Sequence, residues 1–209
     1  MKIGILGGTF NPIHFGHLRA AEEARDKTGL DKVVFVPSGN PPLKTADTID
    51  ASHRYAMTKL ATDSNVDFVV SDVELRQEEK SYTVNTIQRL REIYPEDELF
   101  FILGIDAFID MPNWWQPDIL ISMTDFILVA RPGFDIADAV KSPYVKAGQR
   151  AGEDFFKLKS GKKVIPLEIT PLGISSTDIR RLLREGLSIK YLLPEPVERY
   201  IYGHDLYGQ

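Results

Sequence analysis

The chain has 209 residues, 43% of them hydrophobic and 26% charged, an ordinary composition for a globular domain. Its 25 Lys and Arg against 30 Asp and Glu leave a net charge of −5, which argues against a nucleic-acid partner, because bulk binding needs a basic surface. The absence of cysteine excludes disulfides, Cys-based zinc sites and thiol nucleophiles. No apolar run approaches the ~20 residues that span a bilayer, so no membrane partner is expected.

In chain order, Lys2–Leu6 (KIGIL) opens the chain as a short buried strand. It is not a basic segment followed by a long apolar run, so the expectation is no signal peptide and a cytoplasmic location. Strands are predicted at Ile3–Leu6, Lys32–Pro37, Phe68–Val73, Glu98–Leu103, Asp125–Ala130 and Lys163–Ile169. Several are apolar almost throughout, as parallel strands covered on both faces are. Helical patterns fall at Leu18–Thr28, Ser52–Ala61, Thr83–Tyr94, Ser176–Arg184 and Pro196–Tyr202. Strand and helix alternate, which predicts an α/β fold with a doubly wound, mostly parallel sheet. Between Gly133 and Lys162 one helix is expected around Ile136–Val140 and a second near Tyr144–Arg150, with a polar turn at Ser160–Lys163. No repeat or low-complexity linker divides the chain, so residues 1–209 read as a single domain, with 174–209 a small C-terminal helical part.

Ligands of open α/β sheets bind beyond the carboxyl ends of the strands. Five of those ends carry chemistry-bearing loops. After the first strand, Gly7-Gly8-Thr9-Phe10-Asn11-Pro12 lets backbone approach a ligand, and the helix behind it aims free N–H groups at the same place. His14 and His17, three residues apart, share one helix face there. Together they suggest phosphate chemistry on a nucleotide. Metal ligation by the two histidines lacks a third ligand of matching spacing, so no metal site is expected. The other histidines, His53 and His204, read as structural.

Ser175-Ser176-Thr177 is an N-cap signature, and with Arg180 one turn further it also makes a second polyphosphate cradle. Asp106, after Gly104, suits either a ribose hydroxyl or the cap of the next segment. Trp114-Trp115 suits either the core or a stacking face for a flat ring, and Asp110–Asn113 before it reads as loop. Lys44 is a solvated lysine or, braced by Pro41-Pro42, a phosphate contact. Ser38–Asp47 and Asp110–Gln116 have the composition of mobile lids.

Gly7-Gly8-Thr9-Phe10-Asn11-Pro12-Ile13-His14-Phe15-Gly16-His17, followed far along by Ile174-Ser175-Ser176-Thr177-Asp178-Ile179-Arg180, resembles the nucleotidyltransferase superfamily with its HxGH and SSTxxR signatures. Asn40–Lys44, Ser81-Tyr82-Thr83, Gly104-Ile105-Asp106, Pro112–Trp115, Arg131-Pro132-Gly133 and Tyr191–Pro194 narrow the resemblance to bacterial nicotinate-nucleotide adenylyltransferases. It covers essentially the whole chain and is weakest between Asp135 and Lys162, and Leu43 stands where the family has a histidine.

The resemblance implies a Rossmann-like nucleotidyltransferase fold and transfer of adenylate from ATP to nicotinate mononucleotide, giving nicotinate adenine dinucleotide and pyrophosphate. Mg²⁺ is then carried on the ATP phosphates. It assigns His14, His17 and Arg180 to catalysis, and Gly7, Gly8, Thr9, Phe10, Gly104, Asp106, Ser176 and Thr177 with them to ATP. Lys44, Tyr82, Thr83, Trp114, Trp115 and Arg131 fall on the acceptor side, with Trp114 stacked on the pyridine ring and main chain near Thr83 and Trp115 receiving its carboxylate. Nicotinamide mononucleotide, phosphopantetheine or a cytidylyl reaction are rival chemistries on the same fold, and a non-catalytic nucleotide sensor is a rival class. Both a monomer and a homo-oligomer are compatible with the sequence.

Overall fold

The computed structural model describes residues 1–42, 46–76, 79–130, 136–149 and 154–208. Seven strands form one sheet: β1 (Lys2–Gly8), β2 (Lys32–Pro37), β3 (Phe68–Val70), β4 (Glu98–Gly104), β5 (Asp125–Val129), β6 (Phe156–Lys157) and β7 (Lys163–Leu167). The helices are α1 (Phe15–Thr28), α2 (Ala51–Thr62), α3 (Thr83–Ile93), α4 (Ile105–Asp110), α5 (Pro117–Met123), α6 (Ser176–Arg184) and α7 (Glu195–Gly203). The spatial order is β3-β2-β1-β4-β5-β7-β6. Every pairing is parallel except β6 with β7. The expected doubly wound α/β sheet is therefore present.

Side-chain alternation along the strands divides the core into two layers. In β4, Leu99, Phe101 and Leu103 face one layer with α3, α4 and α5, through Ile87, Leu90, Phe108 and Leu120. Phe100 and Ile102 face the other layer, against Ala21 and Ala24 of α1, Met57 of α2 and Ile201 of α7. Both faces of the sheet are covered, which explains the unbroken apolar runs of the central strands.

The chain leaves β1 for β2 on one side and returns through α3 to β4 on the other, so the order reverses between β1 and β4. Leu6 pairs with Ile102 there, two residues short of Gly8 and Gly104, where the two strands end. That crevice is the switch point at which such sheets hold ligands.

Several expectations are corrected. Asp110–Asn113, expected as loop, is the end of α4 and a 3-10 turn over Met111–Asn113. The helix expected near Tyr144–Arg150 does not form over the described residues, because Val145 bridges antiparallel to Leu158 and Lys146 N–H donates to Lys157 O. The segment from Ile136 forms a 3-10 helix to Lys141. Strand β3 stops at Val70, where its partner register with Phe35 ends.

Candidate active site

Helix α1 begins earlier than the apolar pattern suggests, with His14 as its N-cap and His17 in its first turn. The His14 N–H donates to His17 Nδ1 at 3.3 Å. With Nδ1 accepting, a neutral His17 ring carries its proton on Nε2, which makes that nitrogen a donor. The two rings lie 3.8 Å apart at 30°, and Phe10 meets His17 edge-on at 5.1 Å. The glycine between the histidines leaves room for this packing: a Cβ on Gly16 would sit 3.0 Å from the His14 ring, which would have to give way slightly. His14 is 5% exposed.

The turn before α1 is held by residues distant in sequence. Arg180 Nη1 donates to Asn11 O at 2.8 Å, and Ser176 Oγ donates to Pro12 O at 2.8 Å. The tertiary structure thus brings the two signature segments into direct contact. Ser175, rather than Ser176, caps α6: its Oγ accepts from Asp178 N–H at 3.0 Å and donates to the Asp178 carboxylate at 2.6 Å. Ser176 and Thr177 open the helix, with their main chain at its positive end. Arg180 Nε is buried without a hydrogen-bond partner among the described residues, and Asp47 Oδ2 stands 4.0 Å from it. A guanidinium with an unfilled buried donor suits a phosphate oxygen.

Gly104 is the N-cap of α4, and Asp106 lies half-buried in the first turn of that helix, beside the switch point. The cap of this helix is therefore Gly104 and not Asp106, which corrects the capping alternative for Asp106. On the other side, Ser81 joins the loop after β2, accepting Asn40 N–H on its Oγ at 3.0 Å while its own N–H donates to Asn40 O at 2.9 Å. Tyr82 is the N-cap of α3 and Thr83 its first residue. Trp115, 56% exposed, stacks on Tyr82 with centroids 5.5 Å apart, whereas Trp114 is half-buried against the core layer of α3 and α5. Of the pair, Trp115 has the more open ring. Lys44 and Arg131 lie outside the described residues. No group of three or more His, Asp or Glu is arranged to hold a metal among the described residues.

Three residues of this region make contacts that no local pattern announces, although Asn11 stands within the first signature turn. Arg54 on α2 reaches Thr9 O at 2.7 Å, Gly39 O at 3.2 Å and Ile49 O at 3.1 Å. Asn11 is nearly buried, and its side chain bonds Asp47 O at 3.0 Å and accepts from Ile49 N–H at 3.4 Å. Tyr207, in the C-terminal tail, donates to Asn11 Oδ1 at 2.9 Å. Burial pushes the Tyr207 phenol far up despite Arg180 and Arg54 nearby, so it remains a protonated donor. A single tyrosine or arginine in a sequence does not reveal such reach. His53 and His204 both meet Tyr200, through contacts of 3.0 Å each.

Residues 5–182 match the model of the cytidylyltransferase-like family, which places the chain among nucleotidyltransferases of the HxGH type. The chain is 45% identical to a protein of Syntrophotalea carbinolica over 99% of its own length and 97% of the relative's. It is also 45% identical to one of Geobacter sulfurreducens, over 98% of its own length and 100% of the relative's. Both bear the name probable nicotinate-nucleotide adenylyltransferase. The chain belongs to the nicotinate-nucleotide adenylyltransferase family. Its fold matches that of Plasmodium falciparum nicotinic acid mononucleotide adenylyltransferase complexed with NaAD, with a TM-score of 0.79, 21% identity and coverage of 99% and 97% of the two chains.

Proposed function

We infer that the protein joins ATP to nicotinate mononucleotide, releasing pyrophosphate and forming nicotinate adenine dinucleotide. A phosphate oxygen of the mononucleotide attacks the α-phosphorus of ATP, the α–β bridging P–O bond breaks, and its electrons leave with pyrophosphate. The nucleophile is already anionic at neutral pH, so the site needs no strong base. It needs in-line placement and neutralisation of crowded negative charge.

The observation that carries this reading is the contact between the two signature segments, in which Arg180 and Ser176 bond the turn that leads into His14 and His17. One clamp therefore faces the triphosphate from two helix starts. In this assignment His17 Nε2 donates to the α-phosphate and the developing pyrophosphate, with His14 beside it. Gly7, Gly8, Thr9 and Phe10 offer main chain to the nucleotide. Ser176, Thr177 and Arg180 hold the β- and γ-phosphates, while Gly104 and Asp106 meet the ATP ribose. On the acceptor side, Lys44 and Arg131 supply cations for phosphate, Trp114 stacks on the pyridine, and the start of α3 at Tyr82-Thr83, with the Trp115 main chain, receives the carboxylate. Mg²⁺ enters with ATP as part of the substrate and neutralises phosphate charge.

Backbone N–H donors pair a carboxylate but not both ends of an amide, so nicotinate mononucleotide should exceed nicotinamide mononucleotide in kcat/KM by about tenfold or more. Pyrophosphate release from ATP with each acceptor measures this. ATP binding without pyrophosphate release from any acceptor would leave a nucleotide sensor instead, and equal rates with both acceptors would remove the carboxylate site.

A further inference from the structure

Arg54 is 1% exposed and takes no part in the chemistry described above. A buried guanidinium is unfavourable unless its donors are met. Each of its three nitrogens donates to a main-chain carbonyl: Nη1 to Thr9 O, Nη2 to Gly39 O and Nε to Ile49 O. Burial pulls its pKa down from the usual value, against the opposing through-space effects of Tyr207, Asp50 and Glu74. No ion pair joins it to a carboxylate among the described residues. A well-packed apolar side chain would fill such a space with less desolvation cost. Core filling therefore does not explain the guanidinium.

What it bonds to does. Thr9 lies in the ATP-side turn, and Gly39 lies in the loop after β2, which continues to Asn40 and is tied to Ser81 on the acceptor side. One planar group of fixed size spans the two. In-line transfer is sensitive to that separation: a misplacement of about 1 Å costs on the order of 10²-fold in rate. In the same turn, Tyr207 holds the Asn11 side chain while Arg180 holds the Asn11 carbonyl.

We propose that Arg54 is a positioning residue for adenylyl transfer, fixing the separation between the ATP-side turn and the acceptor-side loop, with Tyr207 of the C-terminal tail bracing that turn for ATP. The proposal rests on the adenylyltransferase reading. Arg54→Lys keeps the charge but places one ammonium where a rigid fork bridged two loops. Its expected effect is a kcat loss of about tenfold, both KM values within about twofold, and calorimetric ATP binding at unchanged stoichiometry. Tyr207→Phe removes one hydroxyl, and its expected effect is a KM for ATP raised about fivefold, with KM for nicotinate mononucleotide unchanged.

A folded Arg54→Lys enzyme with native kcat overturns the proposal. So does a kcat loss matched by an equal loss of binding stoichiometry, which marks a merely structural role. If Arg54→Lys does not fold, Tyr207→Phe decides: a selective rise in ATP KM supports the network, and native kinetics or an equal rise for both substrates sinks it. The unaltered chain, assayed alongside, keeps the two inferences apart. Failure of the native protein to release pyrophosphate refutes the function, and calorimetric ATP affinity of Tyr207→Phe then still decides the network.

Discussion

His17 enters the first turn of α1 with one ring nitrogen already engaged, since its Nδ1 takes the His14 N–H. The bond orients the ring and leaves the proton of a neutral imidazole on Nε2, and in the proposed reaction that donor serves the charge that grows on the departing pyrophosphate. Removing such a donor lowers turnover by roughly 10²–10³-fold. His17→Ala is thus expected to lose that much kcat while KM for ATP changes little; a purified variant with near-native turnover would remove His17 from the transition state. The tryptophans present a second test at this scale. Trp114→Ala should raise KM for nicotinate mononucleotide by about tenfold at most and leave KM for ATP unchanged, the value of one aromatic stack. Because Trp114 also packs on the core, whereas Trp115 is open and stacked on Tyr82, a larger acceptor effect in Trp115→Ala would transfer the stacking role to that ring. The histidine pair was readable from its spacing, whereas the stacking tryptophan came from the family resemblance. Which tryptophan ring is open was readable from neither, because the 3-10 turn at Met111–Asn113 sets it.

A buried carboxylate ties helix α1 to the segment that leaves β7 and leads into α6. Glu23, 3% exposed, accepts Thr170 N–H at 2.9 Å and pairs with Arg19 and Lys27 at 2.7 Å each. Lys27 also donates to Glu168 O at 2.7 Å. The chain leaving β7 is thereby pinned to α1 just before it turns into α6. Burial pushes the Glu23 carboxyl up, but the bonds from Lys27, Thr170 and Arg19 outweigh it and hold it at about 2, against 4.5 for the free group. The folded-state value is the lower one, so the stabilisation is complete above about pH 4.5 and fades as pH falls towards 2. Glu23→Gln should cost about 1–3 kcal/mol near neutrality, as for hydrogen bonds to a charged group, and flatten that part of the acid profile. Urea midpoints of the two proteins between pH 6 and pH 3 check this, roughly spanning the titration; profiles that fall in parallel would clear Glu23. At the scale of elements, α6 matches its predicted span at both ends because Ser175 and Asp178 form a local cap that any reader of the sequence can see. Helices α4 and α5, of six and seven residues, are too short to show a period, and α5 starts from Gln116 in a left-handed conformation. The two-residue strand β6 exists only through its partner β7, so no local pattern announces it.

For the whole molecule, the strand order decides where chemistry is possible. Reversal between β1 and β4 brings Gly8 beside Gly104, and it carries the loops after β2 and β7 to the same edge. Gly39 shows how tightly these loops cross: a Cβ there would lie 2.1 Å from Glu74 O, so only glycine lets the two backbones pass. No helix of the described residues is long and apolar enough to cross a membrane.

By itself the sequence determined the α/β class through apolar periodicity, and the family through the resemblance of its two signature segments, because both are written in neighbouring residues. Only the tertiary structure decided what joins those signatures. Arg180 on Asn11, Ser176 on Pro12, Arg54 across two loops and Tyr207 folded back from the tail all link positions far apart in the chain. Such contacts depend on how the sheet is wound, and a side chain's own neighbours in sequence carry no record of it.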